Sequence, residues 1–95
     1  MFALVTSHSF ERQLTKFIKH HPELKGIIAD IFRRLEKDPF QKALRLHALQ
    51  GQLDGLFAVR LTYKYRITLI IRLEKEEIIL LDIGSHDEVY RKNKK

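Results

Sequence analysis

The sequence predicts an α+β domain of order β-α-α-β-β-β, with a two-helix hairpin packed on a small, mainly antiparallel sheet. Two observations carry this reading. Apolar residues recur at helical spacing from Phe10 to Leu35, and from Phe57 onward they alternate and then run together as strands do. No internal repeat, low-complexity stretch or Pro/Gly/Ser linker separates the two halves. A chain of 95 residues is therefore read as one domain, residues 1–95, whose site must lie on the surface of a single core.

Phe2 to Val5 forms a short first strand. The first helix follows from Phe10, with Leu14, Phe17 and Ile18 on one side, Ser9 as the cap and Glu11 in the first turn. It ends at His21-Pro22, because the residue before a proline is driven out of the helical region. Pro22 takes the first position of a second helix, whose apolar stripe is Leu24, Ile27, Ile28, Ile31, Phe32 and Leu35. Asp38-Pro39 stops it. Lys16, Lys19, Arg33, Arg34 and Lys37 then lie on the outside, as a solvated face. The segment LHALQGQLDG is a loop or short strand that enters the sheet. Phe57, Val59, Leu61 and Tyr63 alternate with Ala58, Arg60 and Thr62, the pattern of a strand with one buried and one open face. RITLIIRL and EIILLDIG are two further strands joined by the charged turn Glu74 to Glu77, and a last helical turn spans Asp87 to Lys92.

The charge balance is +6, from 18 Lys and Arg against 12 Asp and Glu. Between Pro39 and Leu73 the one acid is Asp54, against Lys42, Arg45, Arg60, Lys64, Arg66 and Arg72, and RKNKK follows Tyr90. A domain of this kind favours polyanions, nucleic acid or an acidic protein first and a membrane surface second. The chain has no cysteine, so disulfides and thiolate metal sites are excluded. No signal peptide is visible, and the longest apolar runs fall far short of the ~20 residues that span a bilayer. A soluble, cytoplasmic protein is the simplest expectation.

Several chemistries are missing: no Gly-rich phosphate loop, no His-x-x-x-His pair, and Asp82 as the lone acid after an apolar strand. What remains is cations and imidazoles in the strand half. Around a turn near Tyr63 that holds an odd number of residues, Arg60 and Arg66 project from one face and stand opposite or nearly so. Like charges opposed on a sheet are destabilising, so an anion is expected between them; the alternative is two strand arginines splayed into water. His86 follows the last strand and Tyr90 lies one helical turn beyond, where both face one site if that segment is helical. Imidazole suits proton transfer near neutral pH, although a surface histidine at a strand end also fits. His47 is either a site residue or a loop-packing one, and nothing nearby recommends His8, His20 or His21.

The ordered set LHALQGQLDGLFAVRL, YKYRITLII and IGSHDEVY resembles the RelE/ParE superfamily of small bacterial toxins, most closely the RelE-like and YafQ-like mRNA interferases. The H-x-L-x-G-x-x-x-G spacing from His47 to Gly55 and the G-[ST]-H-x-x-x-[YF] ending from Gly84 to Tyr90 carry the likeness, which covers nearly the whole chain. The resemblance implies a toxin that cuts mRNA in the ribosomal decoding site and is silenced by a cognate antitoxin, with no membrane role. It implies cleavage by the ribose 2′-hydroxyl without metal or cofactor. On this likeness His86 is the general acid, His47 or another group the base, Arg60 and Arg66 a phosphate clamp, and Tyr90 an orienting or stacking ring. Lys64 and Tyr65 contact the RNA. They stand where YafQ-like toxins carry an Asp-Trp pair, and Arg60 stands near the place of a further histidine. The alternative within the superfamily is a ParE-like inhibitor of DNA gyrase without nuclease activity.

Overall fold

Ser7 caps the first helix, two residues earlier than expected. Its extended backbone (φ −117°, ψ 166°) lets Oγ accept from Phe10 N at 3.1 Å, whereas Ser9 already lies inside the first turn. In the computed structural model, which describes residues 1–49 and 55–93 and side chains as far as Val89, α1 spans His8–His20. It buries Phe10 and Phe17, with Leu14 and Ile18 half-buried beside them. Pro22 does not open the second helix. It opens a 3₁₀ turn, Pro22–Leu24, and α2 follows as Lys25–Lys37. The tighter turn rotates the start of the apolar stripe: Ile28, Ile31 and Leu35 are buried, but Ile27 is 44% exposed.

The strands are β1 (Ala3–Val5), β2 (His47–Ala48), β3 (Phe57–Arg60), β4 (Tyr65–Arg72) and β5 (Glu77–Ser85). They form one sheet of order β1-β5-β4-β3-β2, parallel between β1 and β5 and antiparallel elsewhere. The expected α+β class and mainly antiparallel sheet are therefore present. One face, with Val59, Ile67, Leu69, Ile78, Leu80 and Ile83, buries against Phe10, Phe17, Ile28, Ile31, Leu35 and Leu44. Each fully buried side chain of this kind contributes roughly 1.5–3 kcal/mol of transfer free energy.

β3 is shorter than the alternation suggests. After Arg60 the chain reverses: Leu61 N donates to Tyr65 O at 2.9 Å, and Thr62 Oγ1 accepts from Lys64 N and Tyr65 N at 3.2 Å each. Tyr63 therefore leaves the buried row and stands 80% exposed at the tip. Ala58, expected on the open face, is buried with Leu49 and Leu56. The last helix, α3, is His86–Asn93, so it begins at the histidine itself. Among the described residues no helix is long and apolar enough to cross a membrane.

Candidate functional site

The turn after β3 sets the register that matters here. Arg60 and Arg66 are direct partners across β3 and β4, as the strand period and the turn require. Their side chains open into a cleft of about 350 Å³ that Arg45, His47 and Tyr63 also line. His47 reaches it because it pairs with Ala58, which shares a face of β3 with Arg60. The histidine is held by its own loop. Arg45 is left-handed (φ 50°, ψ 45°), a conformation that costs a non-glycine residue about 1 kcal/mol. Its carbonyl lies 3.0 Å from His47 Nδ1. A carbonyl oxygen only accepts, so Nδ1 carries the hydrogen and the neutral ring keeps its lone pair on Nε2. Gly55, which closes the H-x-L-x-G-x-x-x-G spacing, has φ 90° and so needs to be glycine. Gly51 and Asp54 lie outside the described residues.

The cleft collects three cations, Arg45, Arg60 and Arg66. Among the described residues no carboxylate pairs with Arg45, Arg60 or Arg66, and none of the lining residues is acidic. Arg66 is half-buried, and its Nε is sealed from water with no hydrogen-bond partner among the described residues. An unpaired buried donor costs roughly 1–3 kcal/mol, and two opposed guanidiniums add repulsion. A phosphate between the two would relieve that repulsion.

His86 is held by a different device. Gly84 pairs with Arg66 and Ser85 with Tyr65, so β5 finishes at the same end of the sheet as the two arginines. Ser85 Oγ then accepts from Glu88 N at 3.2 Å, while Glu88 Oε1 accepts from Ser85 N at 2.9 Å. This is a capping box, and it starts α3 at His86. Gly84 makes room for it, since a Cβ there would stand 3.0 Å from Glu88 Oε1 and 3.4 Å from Glu88 Cβ. Buried Val89 pins α3, which packs on β4 and β5. The His86 side chain is 48% exposed, with Nδ1 3.6 Å from Asp87 Oδ1.

The structure thus brings together Arg60, Arg66 and His47, and sets His86 at the same end of the sheet but outside that cleft. Tyr90 follows His86 by four residues on α3, and its side chain lies outside the described residues. Lys64 is exposed at the turn, its Nζ 5.6 Å from the Tyr65 ring centre. Tyr65 faces α1 instead of the cleft, edge-on to Phe17 at 5.0 Å and 4.9 Å from His21. Arg45 and Tyr63 escaped the sequence reading as site residues. The Ser-x-x-Glu spacing at Ser85 was the readable signal for the capping box. Among the described residues no group of three or more His, Asp or Glu is clustered to hold a metal ion.

No protein-family profile matches the chain, and no curated protein matches it in sequence. Solved structures do match its fold. YafQ from E. coli aligns at TM-score 0.77 with 11% identity, covering 95% of this chain and 99% of that one. The RelBE2 toxin–antitoxin complex from Mycobacterium tuberculosis aligns at 0.71 with 20% identity, over 90% of this chain and 98% of that one. A YoeB/ParE toxin from Agrobacterium tumefaciens aligns at 0.75 with 19% identity, over 90% and 99%. The chain has the fold of the RelE/ParE toxins.

Proposed function

We propose that the chain is the toxin of a toxin–antitoxin pair and cleaves mRNA on the ribosome. The observation that supports this most is the in-register pair Arg60 and Arg66, set in one cleft with His47 and without an internal counter-ion among the described residues. In this reading His47 Nε2 takes the proton of a ribose 2′-hydroxyl, whose oxygen bonds to the adjacent phosphorus. The bond from phosphorus to the 5′-oxygen breaks, and His86 gives that oxygen a proton. The products are a cyclic phosphate and a free 5′-hydroxyl, so no metal or cofactor is consumed. Arg60 and Arg66 hold the non-bridging oxygens as charge develops on them. In sheet order His47 and Arg60 stand on one side of Arg66 and His86 on the other. In-line displacement needs its base and acid on opposite sides of the phosphorus, and this order suits it.

Tyr90 orients or stacks on the substrate, and exposed Lys64 contacts RNA. Tyr65 supports that end from beneath through Phe17 and His21. The open cleft leaves orientation of the 2′-hydroxyl to the ribosome, so naked RNA is cut poorly. An acidic or amphipathic segment of an antitoxin silences the toxin by covering the cations, and the pair works in the cytoplasm, where the ribosomes are. A gyrase inhibitor of ParE type has the same fold but no use for imidazoles flanking a cation pair.

Programmed ribosomes carrying a defined mRNA test the reading. New 5′-hydroxyl ends at codon positions, far fewer on the same RNA without ribosomes, are expected. Intact mRNA together with inhibited supercoiling by gyrase would overturn it in favour of the alternative.

A further inference from the structure

Two residues line the cleft without a part in the proton transfers or the clamp: Tyr63 and Arg45. Tyr63 has no packing reason for its position. It is 80% exposed on a turn that is closed by backbone bonds and the Thr62 hydroxyl, so the ring adds nothing to the core. An aromatic ring left in water at the mouth of a cation cleft has a flat face to offer a ligand. Arg45 brings a third guanidinium, on a left-handed residue whose carbonyl also fixes the His47 ring. Strain kept in a residue beside a candidate site points to function at that residue. A volume of about 350 Å³ is near the lower end of the range for small-ligand sites, roughly 300–1,000 Å³, and so admits one nucleotide but no helix.

We propose that Tyr63 and Arg45 make the cleft a pocket for a single RNA nucleotide, with the Tyr63 ring stacked on the base beside the clamped phosphate and Arg45 on the neighbouring phosphate. The assignment rests on the nuclease reading for which phosphate is clamped, and the pocket itself follows from the lining residues. Three cations with one exposed ring match the two things every nucleotide offers, an anion and a π-face. An acidic peptide would satisfy the cations but leave the ring without a flat partner. Stacking of this kind tolerates any base, so Tyr63 adds affinity and alignment without choosing a sequence.

The test uses the full chain and a 2′-O-methyl trinucleotide, which has two neighbouring phosphates and cannot be cleaved, followed by chemical-shift titration at low salt. Tyr63→Ala is expected to weaken binding about tenfold and Tyr63→Phe to leave it near parental. The same ligand with an abasic sugar in place of the stacked base should bind the parental chain about tenfold more weakly, and Tyr63→Ala no more weakly still. Arg45→Ala should weaken both ligands alike and lower the salt dependence by about one ion. Equal losses from Tyr63→Ala on intact and abasic ligands, or no loss on either, would overturn the stacking, and no measurable binding would overturn the pocket. Because the ligand is uncleavable, a chain that passes this test yet leaves ribosomal mRNA intact sinks the nuclease reading and keeps the pocket.

Discussion

Arginines on α2 and arginines on the sheet are the same side chain under opposite conditions. Arg34 Nε donates to Asp30 Oδ2 at 2.8 Å, Arg34 also reaches Gln41 Oε1 at 3.1 Å, and Arg33 stands 3.6 Å from Asp30 Oδ1. The Arg34 hydrogen bond, assisted by the charges of Arg34 and Arg33, holds the Asp30 carboxyl below its ordinary range. Arg45, Arg60 and Arg66 have no such neighbour among the described residues. A count of charges treats the two groups alike; their partners tell them apart. The helix cations are answered within the fold, and those of the cleft have no carboxylate partner among the described residues.

The comparison breaks or sharpens most clearly at the imidazoles. His47→Ala and His86→Ala should each slow single-turnover cleavage on programmed ribosomes by roughly 10² to 10⁴-fold while melting temperatures stay near parental, since neither ring is buried. Parental rates in either variant would remove that histidine from the chemistry. Next come Arg60→Ala and Arg66→Ala, each expected to lose about 10²-fold in rate. The double variant should lose less than the product, because both act on one phosphate. Fully multiplicative losses would make them independent surface cations like those of α2.

Smaller effects concern stability. Glu88→Ala removes half of the capping box and should cost about 1 kcal/mol, lowering the melting temperature by roughly 4–8 °C, whereas Glu88→Gln keeps the cap. Unequal cleavage by these two at a temperature where both are folded would show that the carboxylate's charge matters beyond the cap. Arg34→Ala is the control for the whole comparison, and its cleavage rate should match the parent. A loss as large as that of Arg60→Ala would erase the distinction between the two faces. Asp30→Asn has the smallest expected effect. A carboxyl with a lowered folded-state value stabilises above the ordinary Asp range, and that contribution fades as the pH falls through the lowered value. Urea midpoints of parent and variant should therefore differ near neutrality and converge in acid.

Much of this was legible because two periods were legible. The spacing of Phe10, Phe17, Ile28, Ile31 and Leu35 gives the helices, and strict alternation gives the Arg60 and Arg66 pairing once a turn is allowed between them. What the letters concealed was local chemistry that competes with the period. Thr62 closes a turn with its hydroxyl, so Tyr63 leaves the strand although the alternation continues through it. Ser7 and Ser9 offer the same hydroxyl two residues apart, and backbone direction decides between them. The Arg45 carbonyl that orients His47 depends on a left-handed residue that carries no mark in the sequence. Tyr65 was grouped with Lys64 as an RNA contact, yet the alternation that aims Arg66 at the cleft turns Tyr65 toward α1.

The place of β5 in the sheet has a consequence for the order of assembly. β2, β3 and β4 form a local antiparallel meander that can close once residue 72 has been made, and with it the cleft of cations. β5 comes last among the strands but sits in the interior, between β4 and the β1 that began the chain. Such distant pairing is slow, because the loop entropy is lost before the contacts form. A chain caught at that stage has Arg45, Arg60 and Arg66 in place before β5 brings His86 to the same end of the sheet, so the two parts of the candidate site form at different times in folding.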